Sequence, residues 1–163
     1  MQRRHLLLTA ATAALAGCGF ELRRAPELPF ASLAMVGFRP GSTLEQELRR
    51  EIAASRSTQV VDNPQQADVV LQVHRDVREK VVAASTAVGQ VRELQLRVRL
   101  EFSLNKPGGD EVLPRIELLL KRDMNYSERD ALGKEQEEEM LYSAMQSDIV
   151  LRIMRRLAAA HAL

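Results

Sequence analysis

Leu94-Gln95-Leu96-Arg97-Val98-Arg99-Leu100-Glu101-Phe102-Ser103-Leu104 decides the fold. Apolar and polar side chains alternate through the whole stretch, the period of a half-buried β-strand. Leu94, Leu96, Val98, Leu100, Phe102 and Leu104 share one face. Each is worth about 1.5–3 kcal/mol when fully buried, so that face must be covered. Gln95, Arg97, Arg99, Glu101 and Ser103 occupy the other side. This is the pattern of an antiparallel sheet packed on one face and wet on the other.

Working outward, Asn105-Lys106-Pro107-Gly108-Gly109-Asp110 has the turn chemistry of a hairpin loop. A return strand over Val112 to Asp123 places Ile116, Leu118 and Leu120 on its apolar side. Upstream, Val69, Leu71 and Val73 alternate with Val70, Gln72 and His74, and a polar ribbon continues to about Thr86 before Gly89 breaks it. Met124 to Leu132 reads as a polar loop. A long helix then runs from about Lys134 to Ala160, roughly 40 Å at 1.5 Å per residue. Leu141, Met145, Ile149, Ile153 and Leu157 form its apolar stripe, and Met140, Met145 and Met154 read as core filler. Its first turns are acidic (Glu135, Glu137, Glu138, Glu139) and its last are basic (Arg152, Arg155, Arg156), the polarity that the helix dipole favours.

Nearer the start, Leu33 to Phe38 is β-prone and ends at Arg39-Pro40-Gly41. Ser42 and Glu45 have capping-box spacing, and Leu44, Leu48, Ile52 and Ala53 predict a helix over Thr43 to Ser55. Val60-Val61 lead into a turn at Asp62-Asn63-Pro64. The order is β-α-β-β-β-α. It predicts an α+β two-layer sandwich, with two helices on one face of a mostly four-stranded sheet.

The chain opens differently. Met1-Gln2-Arg3-Arg4-His5 is a basic segment, Leu6 to Ala14 is apolar, and Leu15-Ala16-Gly17-Cys18 follows. The leader is shorter than the roughly 20 apolar residues of a spanning helix. Leu15 to Cys18 resembles the lipobox of bacterial lipoproteins, in which the cysteine is acylated and becomes the new N-terminus. Three acyl chains would make attachment effectively permanent. Residue 19 is glycine rather than the aspartate associated with inner-membrane retention, so the resemblance implies the periplasmic side of the outer membrane. Arg3-Arg4 also suits a twin-arginine export signal, and both export routes stay open. The expected division is a signal peptide over 1–17, an acylated tether over 18–31 and one domain over 32–163.

Composition narrows the function classes. With 23 Lys and Arg against 22 Asp and Glu, nothing points globally to nucleic acid. There is no Trp, and only two Tyr and four Phe, so stacking platforms for bases or sugars are scarce. Cys18 is the single cysteine, which leaves the domain to stand on its core without disulfides. His5, His74 and His161 are scattered, with no metal-ligand spacing. No nucleophile elbow, phosphate loop or zinc-protease motif occurs, so neither an enzyme nor a cofactor is expected. Arg92, Arg97 and Arg99 read either as a solvated surface or as a contact for anionic groups.

Two blocks carry a family resemblance. Gly17-Cys18-Gly19-Phe20-Glu21-Leu22-Arg23 is similar to the post-lipobox pattern of the lipopolysaccharide-assembly lipoprotein family, LptE. Leu132 to Leu157 resembles its closing pattern, through Lys134, Glu137, Met140, Met145 and Arg155-Arg156-Leu157. The resemblance implies a non-catalytic lipoprotein that sits inside the outer-membrane β-barrel protein LptD, assists its assembly and contacts lipopolysaccharide. The family's lipopolysaccharide-contacting lysine falls on Lys134, and an exposed first-turn lysine beside Glu135 and Glu138 is an equal alternative reading. A second basic position falls on Ala87-Val88-Gly89, with Arg92 the nearest substitute. The alternative is a free-standing periplasmic lipoprotein that binds amphiphiles or glycans, which would need an internal apolar pocket.

Overall fold

The computed structural model describes residues 26–160. The expected signal peptide, Cys18 and the first part of the expected tether lie outside the described residues. Five strands and two helices follow in the order β1 (Ser32–Val36), α1 (Thr43–Ser55), β2 (Gln59–Val61), β3 (Val69–Ser85), β4 (Val91–Asn105), β5 (Glu111–Asn125) and α2 (Ala131–Ala159). Short 3₁₀ turns at Pro64–Gln66 and Glu128–Asp130 punctuate the connections. The strands lie in one sheet ordered β2-β1-β3-β4-β5. β1 is parallel to both β2 and β3, while β3, β4 and β5 form an antiparallel meander. The α+β two-layer class is as expected, but the sheet has five strands rather than four.

The extra strand is β2. Ser32 to Ala34 pair in parallel with Gln59 to Val61, so Val60-Val61 belong to the sheet before the turn begins. Three residues are too few to show a period in sequence. The α1 crossover creates this strand by returning the chain to the outer side of β1. Two further boundaries move. Met124 lies within β5, which runs to Asn125, as a buried core residue rather than opening the loop, and α2 starts at Ala131 rather than Lys134.

α1 begins as its sequence dictates, with the Ser42 hydroxyl accepting from the Glu45 amide at 3.3 Å. It ends at Arg56, the one non-glycine described residue in the left-handed region (φ 57°). Leu44, Leu48 and Ile52 of α1 meet Met145, Ile149, Ile153, Met154 and Leu157 of α2 over the sheet, where Leu33, Leu71, Leu96, Leu100, Phe102 and Leu104 complete the core. Met140 departs from the core-filler expectation and lies 65% exposed.

β3 continues without interruption to Ser85, but its register slips between Val73 and Arg75. Before the slip, Leu71 and Val73 stand opposite Leu104 and Phe102. After it, Asp76, Arg78, Lys80 and Val82 stand opposite Leu100, Val98, Leu96 and Leu94. Directly opposed residues share a face, so one bulge turns a polar row of β3 toward the helices. That row is partnered there. Asp76 meets Arg39 at 3.4 Å, Arg78 donates to Gln146 at 2.9 Å and Lys80 donates to Glu138 at 2.8 Å. The Arg78 guanidinium also lies 5.3 Å from the centre of the Tyr142 ring.

The meander fixes the two ends of the domain. β3 runs away from the end at which the chain enters, β4 returns, β5 runs out again and α2 comes back. Glu138 of α2 therefore meets Lys80, and the later Gln146 meets the earlier Arg78. α1 follows the same direction, since its first turns touch Gln146 and Ser147 through Thr43 and Glu47. Both helices thus finish at the entry end, and α2 starts at the far end beside the β3–β4 hairpin.

Candidate functional site

At the entry end, the chain is stitched to the sheet and to α1. The Leu28 amide donates to Ser57 Oγ at 2.9 Å, and Thr58 Oγ1 donates to the Phe30 carbonyl at 2.7 Å. The Ala31 and Ser32 amides both donate to Asp68 Oδ2, at 2.9 and 2.8 Å. The Ser32 amide and hydroxyl, with the Ala31 amide, hold the Asp68 carboxyl below its ordinary range. Leu28 and Phe30 are buried, so the last residues expected in the tether pack into the core.

Arg92 and Lys134 both belong to the far end. Arg92 is exposed near the start of β4, and its carbonyl accepts from the Tyr126 amide at 2.8 Å. With Gln90, Ser127, Glu128 and Arg129 it lines an open groove of about 240 Å³. Among the described residues neither Arg92 nor Arg129 has a carboxylate partner. Arg129 escaped the sequence reading. The pairing of Glu93 with Asn125 brings the following loop beside Arg92, and that register is invisible in a single sequence.

Lys134 is less free than a first-turn lysine usually is. Its ammonium lies 2.6 Å from Glu137 Oε2, one turn along the same helix, and its side chain is only 19% exposed. Glu138, a neighbour expected for Lys134, is engaged by Lys80 instead, and this hydrogen bond raises the Lys80 pKa. Lys134 is not among the residues that line the groove beside Arg92. The two cations share an end of the domain rather than a single cradle.

The open face of the sheet is polar and internally compensated. Arg99 pairs with Glu117 at 2.9 Å, and Arg97 donates to Gln95 at 2.8 Å. Glu101 receives both Arg115 and Arg75, and Arg115 in particular holds its carboxyl low. With Arg97 and Arg99 already satisfied, this face presents a balanced polar wall rather than a cationic trap. His74 Nε2 lies 2.9 Å from Ser103 Oγ beside the bulge. Among the described residues no three His, Cys, Asp or Glu side chains converge to hold a metal ion, and no helix is long and apolar enough to cross a membrane.

Comparison with known proteins decides the family. The family model for LptE, described as lipopolysaccharide-assembly, matches residues 30–157. The chain belongs to the LptE family. An LptE relative, the LPS-assembly lipoprotein LptE of Yersinia enterocolitica, is 28% identical over 160 residues, covering 96% of this chain and 76% of its own length. The counterpart of the same name in Yersinia pestis is 26% identical over the same span. Among solved structures, lipoprotein B from Nitrosomonas europaea is 32% identical with a TM-score of 0.72, covering 86% of this chain and 91% of its own. The rare lipoprotein B of Shewanella oneidensis shares the fold at a TM-score of 0.67 and 23% identity, covering 78% of this chain and 94% of its own. The LptE match spans the sheet and nearly all of α2, including Arg92 and Lys134, while Cys18 precedes it.

Proposed function

We propose that this chain is an outer-membrane lipoprotein of lipopolysaccharide assembly, anchored on the periplasmic side by acylation of Cys18. It plugs the LptD β-barrel, assists the assembly of that barrel and contacts lipopolysaccharide on its way to the cell surface. The family match over residues 30–157 carries this reading. The compensated polar face supports it, because a domain seated in a water-filled barrel lumen needs polar outer surfaces and a packed core. Residues 1–17 are the signal peptide, Cys18 and the residues after it form the tether, and the LptE domain follows. No catalytic step is involved.

Lipopolysaccharide contact falls to the far end. The groove beside Arg92 offers an unpaired guanidinium for a lipid A phosphate. Lys134 contributes by exchanging Glu137 for phosphate, a step that its intrahelical ion pair opposes.

The decisive experiment is a tagged pull-down of the full-length protein from detergent-extracted outer membranes. A large β-barrel protein recovered in near-equal amount supports the plug, and a lipoprotein recovered alone overturns it. For the ligand, the measurement is lipopolysaccharide binding by the purified protein carrying Lys134→Glu or Arg92→Glu. Each charge reversal should weaken binding, and unchanged affinity in both variants removes the contact residues from the reading.

A further inference from the structure

A groove of about 600 Å³ has no part in the function proposed above. It lies at the entry end, where the last turns of α1 meet the end of β2. Arg49, Ala53, Arg56, Ser57, Gln59 and Val60 line it. Ala53 and Val60 supply apolar surface, and the two arginines supply charge.

The two cations differ in their company. Arg49 is engaged by Glu45 at 3.2 Å and by Asp62 at 3.5 Å. Arg56 is exposed and has no carboxylate partner among the described residues. It stands in the left-handed conformation that ends α1, with its amide on the Ala53 carbonyl at 3.3 Å. Glycine is the usual residue at such a position, so an arginine here forgoes the easier choice. Nearby along the helices, Arg50, Arg152 and Arg156 are likewise exposed and without a carboxylate partner among the described residues. Elsewhere the charges are matched, as in Arg99 with Glu117, Lys80 with Glu138 and Arg122 with Asp148.

The groove also borders an open edge. β2 is the outermost strand and pairs only with β1, so no strand of the described residues lies on its other side. An extended segment adds to such an edge through backbone hydrogen bonds. A strand of three residues offers few of them, so side chains must supply much of the hold. The surplus of arginine asks for an acidic partner.

Position narrows the choice of occupant. Cys18 precedes Pro26 by eight residues, which span at most about 28 Å when extended. An anchor on the periplasmic leaflet thus keeps the entry end at the periplasmic mouth of the barrel, while the far end runs into the lumen toward lipopolysaccharide. The chain's own residues 19–25 carry Arg23-Arg24 against Glu21, so their charge does not suit the groove. The barrel wall is closed and has no strand edge to offer. A periplasmic turn or a flanking segment of the barrel protein remains.

We propose that an extended acidic segment at the periplasmic end of the barrel partner seats in this groove, adding to the open edge of β2 and placing carboxylates on Arg56 and its neighbours. This interface rests on the plug reading given above, and names where one part of that contact is made.

The test follows hydrogen exchange by mass spectrometry in the full-length lipoprotein, alone and in the complex purified with its barrel partner. Residues 56–62 should exchange about tenfold more slowly in the complex. Ala53→Trp fills the groove from an exposed position, and Arg56→Glu reverses its charge. Each should remove that protection and speed dissociation of the complex about tenfold, whereas Arg56→Lys should leave both nearly unchanged. The wild-type comparison needs no substitution, so it decides even where a variant fails to fold. Equal exchange in the free and bound protein overturns the proposal. So does faster exchange of residues 56–62 in the free protein on Glu21→Arg, since the chain's own link would then hold the groove. If no barrel protein co-purifies, the plug reading falls and this one with it. A complex that forms with residues 56–62 unprotected refutes the groove alone.

Discussion

A Cβ added to Gly37 would stand 2.1 Å from the carbonyl oxygen of Val73. The chain leaving β1 is thus pressed onto β3 at the point where β3 slips register and turns its polar row inward. Gly37 also has φ +84°, which L side chains rarely adopt.

Gly37→Ala should therefore lower stability by about 2–4 kcal/mol, since both the backbone conformation and the close approach resist a methyl group. Gly109 is the control. It has φ +95° but open space around it, so Gly109→Ala meets only the conformational cost, about 1–2 kcal/mol. Urea melts of the two variants separate the effects. Equal losses would mean that the Val73 carbonyl yields easily and the contact is unimportant.

Tyr142 supplies the second prediction. Its hydroxyl donates to the Glu79 carbonyl at 2.8 Å, on a part of β3 beyond the residues that pair with β1. Tyr142→Phe should cost about 1 kcal/mol, and somewhat more if no water reaches the orphaned carbonyl. Burial raises the Tyr142 pKa, with the Glu138 carboxylate adding to the effect. The neutral phenol is therefore the form that the fold prefers. Stability from this group is complete below the ordinary tyrosine pKa of about 10 and is lost as pH climbs through the raised native value. Alkaline denaturation midpoints check it, because the Phe variant should show a flatter decline than the wild type above pH 10 or so.

Much of this architecture was legible because its signals are local. The alternation from Leu94 to Leu104, the Ser42–Glu45 cap and the i, i+4 stripe of α2 each involve neighbours in sequence, and each matches the structure. What stayed hidden depends on pairing at a distance. β2 exists only because Gln59–Val61 returns beside β1, and the Val73–Arg75 slip is defined by residues of β4. The candidate site divides in the same way. Lys134 was visible from its place at the helix start, yet its hold on Glu137 and the company that Arg129 keeps with Arg92 emerge only from the folded chain.

Asp68 links the entry of the chain to pH. Its carboxyl is held low chiefly by the Ser32 amide and hydroxyl, with the Ala31 amide contributing. A lowered native pKa means that the stabilisation is present above the ordinary carboxylate pKa, near 3.9, and is lost as pH falls through the native value. Amide hydrogen exchange at Ala31 and Ser32 should accelerate in that acidic window relative to amides of the core strands. Asp68→Asn should show faster exchange at these amides already at neutral pH and lose the acid dependence. Identical protection in both proteins would place the anchoring of the entry segment on Leu28 and Phe30 alone.

The ion pair of Lys80 and Glu138 provides the last prediction, and it concerns what the inward polar row is for. The Lys80 side chain is 49% exposed, so water screens the pair despite its 2.8 Å separation. A double-mutant cycle on Lys80→Ala and Glu138→Ala should give a coupling of about 0.2–1 kcal/mol that shrinks as salt is added. Ile149→Ala, about three turns beyond Glu138 along α2 and fully buried, should cost about 2–5 kcal/mol and be indifferent to salt. The contrast assigns stability to the apolar stripe and positional selectivity to the polar row. Arg78, Lys80 and Arg122 each meet an acid on α2, at Glu139, Glu138 and Asp148, and sliding the helix by one turn would break all three pairs together. A coupling above about 2 kcal/mol would contradict that division, because the pair would then be acting as a buried bridge rather than a screened guide.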